Sequence, residues 1–247
     1  MRLYLKLSGL LVGLFISTNS IALTLPFTEN FATDAAGWTT GDIGTPATYV
    51  GSGGPDGSSY ISSLIPANAV LFTPGRFSPA SPEVLFRCQD PGCSGDAFKG
   101  TWLNQVGKLS WYIRHSADIP LNAYIRLAPT GTDTGMGFIP NFPGASAFAN
   151  EFTMTLNPNE WTEVVLPIQP EYFSSFSNTS FEAVFSQIDF LQIGLEGPGN
   201  YSQDSEFTLD LDMVHIAPVP LPAGAWLMLS GTIALIGAAK RRRLAAH

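Results

Sequence analysis

The residues with the most pointed chemistry sit near the end of the folded region, in Glu206-Phe207-Thr208-Leu209-Asp210-Leu211-Asp212-Met213-Val214. In an extended strand successive side chains alternate between faces, so Asp210 and Asp212 share one face, opposite Leu209, Leu211 and Met213. Two carboxylates that close repel unless water, hydrogen bonds or a cation intervenes. A solvated acidic face is the plain alternative.

Other chemistries are thinly supplied. The three histidines are His115 and His215, both in strand-like segments, and His247 at the end of the chain; no nucleophile-elbow or His-Glu-x-x-His pattern accompanies them. Gly53-Gly54-Pro55-Asp56-Gly57 lacks the Lys-Ser/Thr ending of a phosphate loop and reads as a tight turn. The expectation is therefore a protein without catalytic residues and without a nucleotide. Aromatic rings offer flat apolar platforms for sugars, and the pool holds Trp38, Tyr60, Trp102, Trp111, Tyr112, Tyr124, Trp161, Tyr172 and Tyr201. Trp102 and Tyr201, flanked by Gly, Asn and Ser, are the expected exposed binding residues.

Charge narrows the partners. Of 12 Lys and Arg, six lie in the two ends, which hold no Asp or Glu; the middle keeps six against 20 acidic residues, so −14 replaces the overall −8 there. Nucleic-acid binding, which depends on phosphate neutralisation, is excluded on that balance. Divalent cations or neutral glycans suit such a surface.

Both ends read as addresses. Residues 1–22 open with Arg2 and Lys6, continue through apolar Leu7–Ile16 and close with Ser20-Ile21-Ala22, the pattern of a secretory signal cleaved by signal peptidase. At the other end, an apolar stretch of 19 residues from Leu221 to Ala239 precedes Lys240, Arg241, Arg242 and Arg243. It is long enough to span a membrane as a helix, with the basic cluster inside and the rest of the chain outside. An exported chain also meets oxidising conditions, so Cys88 and Cys93, bracketing a Pro-Gly turn, are expected to form a local disulfide at a loop tip.

Between the ends, strand-like runs fall at Ala47–Val50, Ser59–Ser63, Ala69–Thr73, Lys108–His115, Leu121–Leu127, Phe152–Leu156, Thr162–Leu166, Ile188–Leu195 and Glu206–Ile216, broken by 24 Gly and 19 Pro. Short strands at that spacing predict an all-β sandwich. In Lys108–His115, Leu109, Trp111 and Ile113 fall on one face and Ser110, Tyr112 and Arg114 on the other. Ser180, after Asn178 and Thr179, predicts a capped short helix over Phe181–Phe185.

The tail, with Val219, Pro220, Leu221, Pro222 and Ala223 ahead of the span and the basic cluster, resembles the PEP-CTERM class of bacterial sorting signals in its Val-Pro-Leu-Pro-Ala variant. That resemblance implies recognition by an exosortase, transient anchorage in the inner membrane, and a final place at the cell surface or in the extracellular matrix of a Gram-negative bacterium. The middle, residues 23–217, with Gly37-Trp38, Gly53–Ser62 and Trp161–Pro167 in order, resembles the laminin B (laminin IV) domain. It implies a jelly-roll sandwich related to carbohydrate-binding modules, and with it a structural calcium held by Glu29, Asp34, Asp210 and Asp212. The combined expectation is a non-catalytic surface or matrix protein binding polysaccharide or matrix components in domain 23–217, followed by sorting tail 218–247. A purely structural or adhesive matrix protein and a polysaccharide hydrolase are the alternatives.

Overall fold

A computed structural model of the chain describes residues 23–40, 45–69, 71, 84–129, 146–148, 154–176, 180–198 and 201–220. Two antiparallel sheets form from them. The first has the order β11 (Thr162–Pro167), β7 (Val106–His115), β14 (Phe207–Pro218), β5 (Tyr60–Ile65), β4 (Thr48–Val50), with β1 (Phe27–Glu29) also on β14. The second runs β12 (Ser174–Phe176), β9 (Ser146–Phe148), β8 (Leu121–Pro129), β13 (Ile188–Glu196), β6 (Leu85–Cys88), β2 (Thr39–Thr40), β3 (Thr45–Pro46), with β10 (Thr155–Leu156) on β8. The fold is the expected all-β sandwich.

Alternation builds the core. Leu109, Trp111 and Ile113 of β7 and Leu209 and Leu211 of β14 point into one buried cluster, which also receives Leu191, Ile193 and Leu195 of β13 and Ile125 and Leu127 of β8. Burying so many apolar side chains between two sheets is the main driving force for the sandwich. The short helix α1 (Phe181–Phe185) starts as expected, with Ser180 Oγ accepting from Ala183 N–H at 3.2 Å. Phe181, Phe185 and Phe173 then cluster beneath it, tying the helix to the core.

Four expectations need correction. The described part of Ala69–Thr73 is not a strand: Asn68 has φ +63° and Ala69 N–H bonds to Pro66 O, which closes a turn. Leu85–Cys88 is a strand that alternation missed, because all four residues are buried and no period of two survives in its sequence. Met213 does not share the face of Leu209 and Leu211. The β14 register against β7 slips between Asp212 and His215, Met213 takes φ +49°, and Val214 fills the next core position instead. This is a β-bulge, and it falls where β14 exchanges one neighbour for another: β5 pairs with 207–211 and β1 with 214–216. The disulfide Cys88–Cys93 forms, with α-carbons 5.5 Å apart, but it is no exposed tip. Both cysteines are buried, Ser94 Oγ accepts from Trp38 Nε1 at 2.8 Å, and a Cβ on Gly37 would stand 3.2 Å from the Cys93 α-carbon.

Among the described residues no helix is long and apolar enough to cross a membrane. The expected signal, residues 1–22, and the tail from Leu221 onward, with Pro222, Ala223, Arg241, Arg242 and Arg243, lie outside the described residues. Val219 and Pro220 are described, and Val219 N–H bonds to Gln105 O at 2.8 Å as the chain leaves the first sheet.

Candidate functional site

On the outer face of the first sheet, away from the core, strand register decides which side chains meet. Asp210 stands across from Arg114 of β7 and Ser62 of β5, while Tyr112 stands between Asp212 and Glu163 of β11. Arg114 Nε and Nη2 both reach Asp210 Oδ2 at 2.8 Å, and Ser62 Oγ donates to Oδ1 at 2.6 Å. The Asp210 side chain is 4% exposed and that of Arg114 25%. A guanidinium so fixed has one plane available for packing, and it lies 4.6 Å from the Trp161 ring centre and 5.2 Å from that of Tyr60. Both distances are in the cation–π range.

The two rings meet edge to face at 5.4 Å, and Trp161 Nε1 donates to Gly53 O at 2.9 Å. Trp161 and Tyr60 remain partly exposed, with exposed Glu163 beside them. The Tyr112 hydroxyl is held above its usual range, by burial first and then by the charge and hydrogen bond of Glu163. With Arg114 on one side of the indole, a ligand can meet the opposite ring face or the ring edge. The result is an aromatic rim locked from three strands and a loop before any ligand arrives.

Beneath the rim lies the loop that carries the glycine-rich motif. Gly54 N–H bonds to Ser58 O and Gly57 N–H to Gly54 O, the tight turn expected. A Cβ on Gly54 would fall 2.2 Å from Ser58 Oγ and 2.7 Å from Asp212 Oδ2, so only glycine lets the loop close over that carboxylate. Asp212 is fully buried at the bulge; it accepts from Ser58 Oγ at 2.5 Å and Met213 N–H at 2.7 Å. Burial pushes its pKa up, the Ser58 and Met213 bonds oppose that, and the charges of Asp56 and Glu29 add to the rise.

The four carboxylates expected to hold calcium do not fit as one cage. Asp210 gives both oxygens to Arg114 and Ser62, so it is an ion-pair partner and not a ligand. Asp212 is bonded as above, Glu29 Oε1 accepts from Phe31 N–H at 3.0 Å, and Asp34 Oδ1 accepts from Ala36 N–H at 2.7 Å. Calcium asks for six to eight oxygens around one point, and among the described residues no group of three or more His, Cys, Asp or Glu is placed to hold a metal.

The aromatic expectation also moves. Trp102 is 0% exposed, its indole N–H donating to Phe98 O at 3.0 Å and its ring near Phe185. Its Gly and Asn neighbours made a loop, but the loop turns the ring inward. Tyr201 is partly buried against the core, its hydroxyl bonded to Asp118 with Gln203 Oε1 2.9 Å away. Burial and that carboxylate hold the Tyr201 hydroxyl well above its usual range. Trp161, Tyr60 and Tyr112 form the accessible group instead. Their names were in the aromatic pool, but Arg114 and Glu163, which set their positions, carried no signal beyond outward alternation in their strands.

No protein-family model matches the chain, and no curated protein matches it. Among solved structures, it is similar to the CBM22-1 and GH10 modules of a Clostridium thermocellum endo-1,4-beta-D-xylanase complexed with xylohexaose, at 14% identity and TM-score 0.45, over 78% of this chain and 28% of that one. The chain thus spans little more than a quarter of that structure. It is similar to the family 11 carbohydrate-binding module of a cellulosomal cellulase of the same organism, at 10% identity and TM-score 0.43, over 78% of this chain and 95% of that one. A third likeness is the cleaved adhesin domain of Lys-gingipain from Porphyromonas gingivalis, at 15% identity and TM-score 0.42, over 80% and 100% of the two chains.

Proposed function

We propose that the chain is an exported, non-catalytic binding protein, a jelly-roll module sorted to the cell surface or matrix by its tail, whose aromatic rim engages neutral polysaccharide. The observation that carries this reading is Trp161: a partly exposed indole held by Gly53 O and by the Arg114–Asp210 pair. An aromatic platform fixed in advance loses little conformational freedom on binding. Glu163, to which the Tyr112 hydroxyl donates, and the Tyr112 oxygen beside it supply acceptors for sugar hydroxyls.

Binding without catalysis is supported by how the two strand carboxylates are used. Asp210 is tied to a cation and Asp212 is sealed under Ser58, so neither is placed to deliver or take a proton at a glycosidic bond. The rim is also separated from the point where the described chain leaves the sheet. It lies at the Asp210 end of β14, whereas the chain departs past Pro218, next to the start of β1. Eight residues of strand put roughly 26 Å between those two points of β14.

A glycan array followed by calorimetry tests this. Wild-type chain binds a neutral polysaccharide, and Trp161→Ala weakens it at least tenfold in a protein that still unfolds in one cooperative step. If no neutral glycan binds, or if Trp161→Ala binds like wild type, the proposal is wrong.

A further inference from the structure

The chain crosses from the second sheet to the first between β10 and β11, through the turn Asn157-Pro158-Asn159-Glu160, and Trp161 follows at once. Asn159 takes φ +63° there, and Asn157 Nδ2 donates to Glu160 Oε2 at 3.1 Å, which tightens the turn. His115, the last residue of β7, fastens this crossover to the body of the sandwich. Its backbone O accepts from Asn159 N–H at 2.7 Å, and its Nε2 bonds to Leu156 O at 3.1 Å. The main chain of His115 thus holds the middle of the turn, and its ring holds the residue before it.

The partners fix the state of that ring. A carbonyl only accepts, so Nε2 carries the hydrogen and Nδ1 is left with a lone pair. His115 is 0% exposed and Nδ1 has no hydrogen-bond partner. A neutral imidazole tolerates a bare lone pair, whereas protonation would set a charged N–H at Nδ1 with nothing to accept it, which costs far more. Nor does a compensating charge face the ring. Leu209 of β14 stands across from His115 and Leu121 of β8 across from Leu156, while Arg114 and Asp210 are engaged with each other on the outer face and Glu160 and Asp118 are exposed. Burial pushes the imidazole below its usual range, with the Leu156 bond opposing it.

We propose that His115 is an acid-sensitive latch on the aromatic rim, whose protonation frees the ring from Leu156 O, opens the Asn157–Glu160 turn and releases Trp161, so that glycan held at neutral pH is let go in acid. The glycan part rests on the reading of the rim as a binding site; the movement of the turn does not. Opening takes this route because the turn is the cheapest covering to move: Asn157, Asn159 and Glu160 are exposed, whereas β7 and β14 are packed through the core. Once the turn moves, the indole loses the contacts with Gly53 O and Arg114 that position it. An opened ring titrates near its ordinary value of 6.5 and the closed ring below it, so the closed form is favoured above that value and loses ground as pH falls through and beneath it. Asp212, raised by burial and capped from the loop that holds Trp161, is the rival source of an acid effect.

The test uses the full-length chain in detergent, labelled with 5-fluorotryptophan, the Trp161 fluorine resonance being assigned by its loss in Trp161→Phe. As pH is lowered from 7.5 to 5, the wild-type Trp161 resonance gives way to a second position, while those of buried Trp38, Trp102 and Trp111 stay in place. His115→Gln, whose neutral amide can donate to Leu156 O at either pH, keeps the Trp161 resonance fixed; His115→Met, which cannot donate, shows the released position throughout. An array of neutral oligosaccharides read at the two pH values then follows binding, which drops roughly fivefold in acid for wild type and stays within about twofold for His115→Gln. A wild-type Trp161 resonance that ignores pH would overturn the latch, and so would one that moves equally in His115→Gln, the result expected if Asp212 were responsible. Equal glycan binding at both pH values while the resonance moves would overturn the link from turn to rim. If wild type binds no neutral oligosaccharide at pH 7.5, the reading of the rim fails and the fluorine spectra decide the latch by themselves. Should His115→Gln not fold, hydrogen exchange at Asn159 N–H in wild type decides: corrected for its intrinsic rate, protection must fall as pH falls, and constant protection would overturn the latch.

Discussion

The two outer faces of the sandwich handle arginine in opposite ways. On the first sheet, Arg114 faces Asp210 across the strand pair, and the neutralised guanidinium becomes a shelf on which Tyr60 and Trp161 are ordered. On the second, Arg87 and Arg126 flank the Gln192 amide, and burial first, then the charge of Arg87, holds the Arg126 guanidinium down. The same residue type is thus a positioning device for two rings where a carboxylate stands opposite, and part of a buried polar row where Gln192 does. Register against the neighbouring strand makes the difference, since all three arginines occupy outward positions in strands of similar build.

The strongest way to break that comparison is to remove the counter-charge. Asp210→Ala leaves Arg114 half-buried beside two rings, and a loss of about 3 kcal/mol is expected on breaking such a pair from one side. Urea unfolding measures it; a loss below about 1 kcal/mol would mean that the pair behaves like a solvent-exposed one. Next comes Glu196 on the opposite face. Its carboxyl is raised from 4.5 to about 7 in the folded chain, so the folded state binds more protons between those values and stability falls as pH rises through them. Glu196→Gln should remove the fall and gain about 2 kcal/mol at pH 8, after allowance for partial solvent screening. Parallel melting curves of the two proteins at pH 4 and pH 8 check this.

Smaller effects sharpen the first face. Ser58→Ala withdraws a hydrogen bond from the buried Asp212 carboxylate and should cost about 1.5 kcal/mol, more at pH 7 than at pH 3, where a protonated Asp212 no longer needs the donor. Trp161→Phe keeps a ring over Arg114 but loses the bond to Gly53 O, a change of about 1 kcal/mol that chemical denaturation should resolve. If Trp161→Phe matches wild type in both stability and glycan affinity, the indole N–H does not position the rim.

Much of the fold was legible because it is written locally. The alternation of Leu109, Trp111 and Ile113 gave the core face of β7, Ser180 gave the start of α1, and Cys88 and Cys93 found each other across their turn. Where both faces of a strand are covered, as in Leu85–Cys88, alternation disappears and so did the signal. Trp102 misled for a related reason: polar neighbours describe the path of the backbone, while burial depends on what packs over the ring.

The candidate site is the harder case. Its members come from positions 60, 114, 161 and 210, in β5, β7, the loop just before β11 and β14, and no spacing within any one strand relates them. The shared face of Asp210 and Asp212 was readable, yet their fates were not. One meets Arg114 and the other is capped by Ser58, because the bulge at Met213 hands the edge of β14 from β5 to β1.

The sequence by itself determined what depends on neighbours along the chain: strand periods, turn chemistry, the helix cap, the acidic balance of the middle. Tertiary structure alone decided which strands lie side by side and in what register. Outward side chains interact chiefly with partners about 5 Å away on the adjacent strand, and that choice turned one arginine into a fixture of the rim and set two others on either side of Gln192.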